Sequence, residues 1–148
     1  MQITSSTFQE GGSIPKKYGQ DFDNVNPPLA ILDVPSKTAS LVLLMDDPDV
    51  PEAAGVAVWD HWVVFNIPPT TEMIGEGWTP TGVRGSGTRG LLDYSGPRPP
   101  DREHRYFFKV YSLDSMLELK EGVSKQEVLD AMEGHIIETA ELVGRFSP

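Results

Sequence analysis

Apolar residues in this chain come in short runs, cut by 14 glycines and 13 prolines among 148 residues. Proline removes a backbone donor and glycine adds to the entropy lost on ordering, so such punctuation favours short strands and long loops over long helices. The pattern predicts a mainly β fold. Leu41 to Met45 is apolar on both faces and stops at Asp46-Asp47-Pro48, as a central strand would. Val56 to Phe65 and Tyr106 to Leu113 are rich in β-branched and aromatic residues and predict two more core strands. Between Thr70 and Pro100 lie seven glycines and little periodicity, which predicts loop and edge strand.

One helix is expected near the C-terminus. Ser124 and Glu127 have the spacing of a capping box. Leu129, Met132, Ile136, Ala140 and Val143 then recur at helical spacing, predicting an amphipathic helix laid on the sheet. A chain of this length suffices for one domain, 1–148, burying about 70% of the surface it exposes when unfolded.

The net charge of -10 argues against nucleic acid or anionic membrane as partner, because both select clustered Lys and Arg. There is no cysteine, which excludes a disulfide framework, a thiolate metal site and a thiol nucleophile. Met1 to Gly12 lacks a basic segment followed by an apolar run, and no stretch of 18 apolar residues occurs. The expectation is a cytoplasmic protein without stable membrane insertion.

Candidate site residues gather around two of the three histidines. Asp47-Pro48-Asp49-Val50-Pro51 leads into Trp59-Asp60-His61, and Gly96-Pro97-Arg98-Pro99-Pro100 leads into His104-Arg105-Tyr106. Prolines restrict the backbone beside both, which suits side chains held still at a pocket rim. Strand alternation puts His104 and Tyr106 on one face, and Trp59, His61, Val63 and Phe65 on one face of their own strand. Arg105 alternates away from His104 and is expected to pair structurally. A carboxylate beside an imidazole fixes its tautomer and favours its charged form, so the pair could present donors to an anion. Five of the six arginines, Arg84, Arg89, Arg98, Arg102 and Arg105, precede or adjoin His104, and most read as solvated loop cations. His135, near the helix stripe, is expected to bond helix to sheet.

Three further motifs carry less. Two histidines and a carboxylate could form an open metal site, but the familiar ligand spacings are missing, so neither metal nor cofactor is expected. Gly85-Ser86-Gly87-Thr88-Arg89-Gly90 matches a dinucleotide-binding spacing, yet the turn formers and prolines that follow cannot supply the helix such a site needs. Trp59, Trp62 and Trp78 default to packing, with Trp59 excepted because it travels with His61.

In their order and spacing, Asp-Pro-Asp-x-Pro at 47–51, His-Trp-Val-Val-Phe-Asn-Ile-Pro at 61–68 and Gly-Pro-Arg-Pro-Pro with His-Arg-Tyr at 96–106 resemble the phosphatidylethanolamine-binding protein family, in particular its bacterial and archaeal Raf kinase inhibitor-like branch. Gly12-x-Ile14-Pro15, Asn24-Val25-Asn26-Pro27-Pro28-Leu29 and Met132-Glu133-Gly134-His135-Ile136 extend the resemblance over almost the whole chain. It implies a large antiparallel sheet packed on a smaller one with flanking helices. It also implies a pocket for phosphate-like anions at Asp47, His61, His104 and Tyr106, with Pro99, Pro100, Trp59 and Asp49 lining or bracing its mouth. Members bind phospholipid headgroups, inhibit kinases or proteases, or serve as signalling scaffolds, and microbial ones often form homodimers. Many microbial relatives carry a cysteine shortly after the position of Tyr18, where this chain has Gly19-Gln20-Asp21. The expected function is non-catalytic binding of a phosphate-like anion or phosphorylated headgroup. A metal-independent hydrolase using His61 and His104 is the alternative.

Overall fold

A computed structural model describes residues 1–148. The larger of two antiparallel sheets is built from β3 (Ser40–Asp47), β4 (Trp59–Ile67), β6 (Val83–Arg84), β7 (His104–Leu113) and β8 (Ile136–Phe146), in the order β6-β4-β3-β7-β8. The smaller contains β1 (Gln2–Thr4), β2 (Leu29–Leu32) and β5 (Met73–Ile74), in the order β1-β2-β5. One helix, α1 (Lys125–Met132), covers the far face of the large sheet. No helix is long and apolar enough to cross a membrane.

Strand β3 lies at the centre of the five, and every one of its residues is buried. This accounts for its unbroken apolar run, since both faces are covered. Leu41, Leu43 and Met45 face the small sheet, where Leu29, Ile31, Phe108 and Val110 join the main core. Val42 and Leu44 face the helix and pack with Val128, Met132 and Leu113. As expected, the region from Thr70 to Pro100 is mostly loop, with the two short edge strands β5 and β6. β4 begins at Trp59 rather than Val56, and β7 begins two residues before Tyr106, at His104.

The expected capping box is present: Ser124 Oγ accepts from the Glu127 N–H, and Glu127 accepts from the Ser124 N–H. The helix, however, ends at Met132 and does not continue to Val143. Gly134 adopts a left-handed conformation (φ 81°) that turns the chain back. From Ile136 onward the residues form β8, paired in antiparallel register along β7. Ala140, Leu142, Gly144 and Phe146 alternate inward there, a period of two that overrides the looser helical spacing of Ile136, Ala140 and Val143. His135 therefore sits in the turn, not on the helix, with Nδ1 2.8 Å from Asp114 Oδ1.

A β-bulge decides where the first candidate histidine points. Met45 pairs with Trp62, but Asp46 pairs with Asp60, so β4 carries one extra residue at His61. The shared face expected for Trp59, His61, Val63 and Phe65 is broken at this point. Val63 and Phe65 pack on the helix side, while His61 turns with Trp59 to the opposite face.

Removing the helix cap in Ser124→Ala should lower the unfolding free energy by about 1 kcal/mol. A urea midpoint unchanged from wild type would show that helix α1 does not depend on it.

Candidate functional site

The C-terminal end of β3, the bulged start of β4 and the start of β7 converge on a cleft of about 490 Å³. Asp47, Trp59, His61, Pro100, His104 and Tyr106 line it. Strand pairing explains the convergence, because Asp47 lies opposite Trp59 on one neighbour and one residue beyond Asp46, which faces Phe107 on the other. Two expected members do not reach the cleft. Pro99 is buried behind it, and Asp49 is turned onto Arg105.

Asp49 is a brace. Its carboxylate accepts from the Arg105 backbone at 2.9 Å, from Nε at 2.9 Å and from a terminal guanidinium nitrogen at 2.8 Å. The guanidinium hydrogen bonds hold the carboxyl down at about 2, well below its ordinary range. Arg105 thus points away from His104 and pairs structurally, tying the loop after β3 to β7.

Tyr106 stands between the two imidazoles, with ring centroids 5.3 Å from His61 and 6.4 Å from His104. Burial first, and then the charge of Asp47, push its phenol far above the usual range, so it keeps its proton. It remains a neutral hydroxyl.

The two histidines differ in what their nitrogens can offer. His104 is fully buried, with Nδ1 2.7 Å from Asp47 Oδ2 and Nε2 2.7 Å from Asp101 Oδ1. Both ring nitrogens of His104 are thus engaged by carboxylate oxygens, one from the strand beneath and one from the loop before β7. Asp47 is itself spent, because its other oxygen accepts from the Asp49 N–H at 2.7 Å. His61, also buried, has Nδ1 2.6 Å from the Ser95 carbonyl. A carbonyl only accepts, so that nitrogen carries the proton. Burial lowers the His61 pKa, outweighing Ser95 and the neighbouring Asp47, and leaves the ring neutral near pH 7 with Nε2 as its free polar atom. Two equivalent cationic donors, as the sequence suggested, are not what folds.

Four polar residues beyond the expected set meet at this cleft, the rim cation Arg89 among them. Asp101 covers the outward nitrogen of His104, and Gln20 and Arg98 come from loops that meet across the mouth. Those loops touch at Gly96, where a Cβ would lie 2.1 Å from the Tyr18 carbonyl oxygen. The Gln20 N–H then donates to the Pro97 carbonyl at 2.9 Å, and the Gly96 N–H to Asn24 Oδ1 at 2.7 Å. Arg98 ends on Asp21, with Nε 3.1 Å from Oδ2. Asp101 had a signal, since it sits three residues before His104 in a proline-ended loop. Gln20 had none.

His61 gives the stability a pH signature. A histidine whose folded pKa lies below its unfolded value of about 6.5 binds fewer protons in the native state, so stability falls as pH drops below that value. Asp49, held near 2, contributes only to losses at much lower pH. Wild type should therefore lose urea stability between pH 6.5 and 5 more steeply than His61→Gln. Parallel profiles would show that the native ring is not held neutral.

The family model described as "Phosphatidylethanolamine-binding protein" matches residues 4–147. A UPF0098 protein of Chlamydia trachomatis is 46% identical over 147 residues, covering 99% of this chain and 98% of its own length. One from the archaeon Methanothermobacter thermautotrophicus is 44% identical over 152 residues, again covering 99% and 98%. Among solved structures, a putative phosphatidylethanolamine-binding protein homolog from C. trachomatis superposes with a TM-score of 0.96 at 44% identity, covering 99% of this chain and 97% of that one. E. coli YbcL, described as a new member of the mammalian family of that name, superposes with a TM-score of 0.90 at 28% identity, covering 99% and 98%.

Proposed function

The chain belongs to the phosphatidylethanolamine-binding protein family, a family of binding proteins, and from that membership and the chemistry of the cleft we propose that it binds a small phosphate-like anion or phosphorylated headgroup without transforming it. The observation that carries this reading is the carboxylate oxygen of Asp101 lying 2.7 Å from His104 Nε2. That nitrogen already has an anionic oxygen as its partner. Asp101 is 40% exposed at the cleft side of this buried ring, so its carboxylate can swing into solvent and leave the nitrogen to an incoming anion.

His61 determines the proton inventory. Its bare Nε2 repels an oxyanion unless a proton sits between them. Either the ring takes up a proton or the ligand brings one, and a phosphate monoester, with a second pKa of about 6, can supply it. Above about pH 7 the complex then holds one more proton than its separate partners, and affinity falls about tenfold per pH unit. Tyr106 adds a neutral hydroxyl beside both rings.

Calorimetric titration with inorganic phosphate from pH 6 to 9 tests this. Wild type should follow that slope, and His61→Ala should lose at least about tenfold in affinity at pH 6.5 and lose the slope. Asp101→Asn, which removes the charge of the internal competitor, should bind more tightly than wild type. An affinity independent of pH, together with an unaffected His61→Ala, would refute the proposal. A neutral imidazole with a free Nε2 is also the form a general base takes, which favours the hydrolase as second reading. Phosphate release from p-nitrophenyl phosphate that disappears in His61→Ala would move the assignment there.

A further inference from the structure

We propose that Arg89 is the specificity-determining residue of this cleft, distinguishing ligands that bear a second negative charge, such as phosphomonoesters, from singly charged diesters. The inference rests on the anion-binding reading above.

Its starting point is the pairing of arginines. Arg84, Arg98, Arg102, Arg105 and Arg145 each form an ion pair with a carboxylate. Arg89 is the sixth, is exposed, and makes neither an ion pair nor a hydrogen bond. With 22 acidic side chains against 12 Lys and Arg, acidic partners are abundant, and an arginine without one is the exception. It lines the cleft that holds His61 and His104.

The backbone under Arg89 is tightly fixed. Its neighbour Thr88 makes a reciprocal pair of bonds with Asp60, the residue before His61: the Thr88 N–H donates to the Asp60 carbonyl at 3.0 Å, and the Asp60 N–H donates to Thr88 Oγ1 at 2.7 Å. These bonds occupy the Asp60 backbone groups at the β4 bulge. Gly87 permits the approach, because a Cβ there would lie 2.7 Å from the Asp60 carbonyl oxygen. Its N–H donates to the Leu91 carbonyl at 2.9 Å, and the Gly90 N–H to the Gly87 carbonyl at 2.9 Å, closing a tight loop around Arg89. Gly90 completes the turn at φ 79°. On the other side of the sheet, Lys125 pairs with the Asp60 carboxylate at 2.5 Å and with Asp46 at 3.4 Å. The glycine spacing at 85–90 thus serves no dinucleotide. It fastens a cation to the same bulge that aims His61.

The chemistry follows from charge. A phosphate group between His61 and His104 can satisfy one negative charge on the rings, and a guanidinium at the rim presents planar donors to outward oxygens. A monoester carries a second charge there, whereas a diester carries an ester oxygen and an alkyl group.

Methyl phosphate and dimethyl phosphate, titrated at pH 7, distinguish the two cases. Wild type should prefer methyl phosphate. Arg89→Gln should weaken methyl phosphate by about ten- to a hundredfold and dimethyl phosphate by less than about threefold, with Arg89→Lys intermediate. Thr88→Val keeps the charge but loses the bond to the Asp60 N–H, and should reduce the preference in part. Equal losses for both probes, or none in Arg89→Gln while wild type binds methyl phosphate, would overturn the role of Arg89 alone. Wild type binding neither methyl phosphate, dimethyl phosphate nor inorganic phosphate would sink the anion reading and this inference with it.

Discussion

The cleft depends on one extra residue in β4. A regular strand would send His61 to the helix side with Val63 and Phe65, away from the cleft and from His104 and Tyr106. The bulge reverses that side chain, and the Ser95 carbonyl fixes the ring once it has turned. Next to the bulge, the Asp60 backbone groups turned away from β3 bond Thr88, so the Gly-rich loop is fastened where the strand departs from regular pairing. Bulges disrupt a ladder, and here the disruption is taken up by hydrogen bonds that place polar groups.

Charge is divided across the sheet at this same level. Asp46 and Asp47 are both buried neighbours on β3, yet they face opposite layers. Asp46 meets Lys109 and Lys125 on the helix side, and Asp47 meets His104 and the Asp49 N–H on the cleft side. Buried carboxylates cost much unless paired and hydrogen-bonded, and each of these has two partners. The end of β3 is thereby held from both faces, which suits a site whose rings must stay in place.

Much of this was legible in the chain. The central position of β3 followed from an apolar run that showed no alternation, and the smaller sheet and large sheet followed from the family resemblance. Asp47, His61, His104 and Tyr106 do share a cleft. What could not be read was the bulge, because alternation counts residues and a bulge changes the count without a compositional mark. The overlong helix failed differently: Ile136, Ala140 and Val143 fit a helical stripe, but Gly134 and the β-branched pair-and-alternate pattern beyond it favoured pairing with β7. For Asp49 the resemblance left lining and bracing open, because a rigid proline loop constrains the backbone without saying which partner a side chain will find, and here that partner is Arg105. Arg89 looked like one solvated cation among several, and only the pairing of the other five sets it apart.

Gly96 has a consequence for how such a cleft can change. Its backbone lies against the Tyr18 carbonyl so closely that no side chain fits, which locks the loop carrying Gln20 to the loop carrying Arg98 and Pro100. A larger residue at the seam would break that jaw and not reshape it, since any added carbon forces the loops apart and strips the hydrogen bonds that join them. The opposing jaw is a short exposed turn, Glu52–Ala54, whose Ala53 and Ala54 line the opening without comparable restraint. Adaptation to guests of different bulk is therefore expected to run through that turn, with the proline jaw acting as the fixed anvil against which each guest is measured.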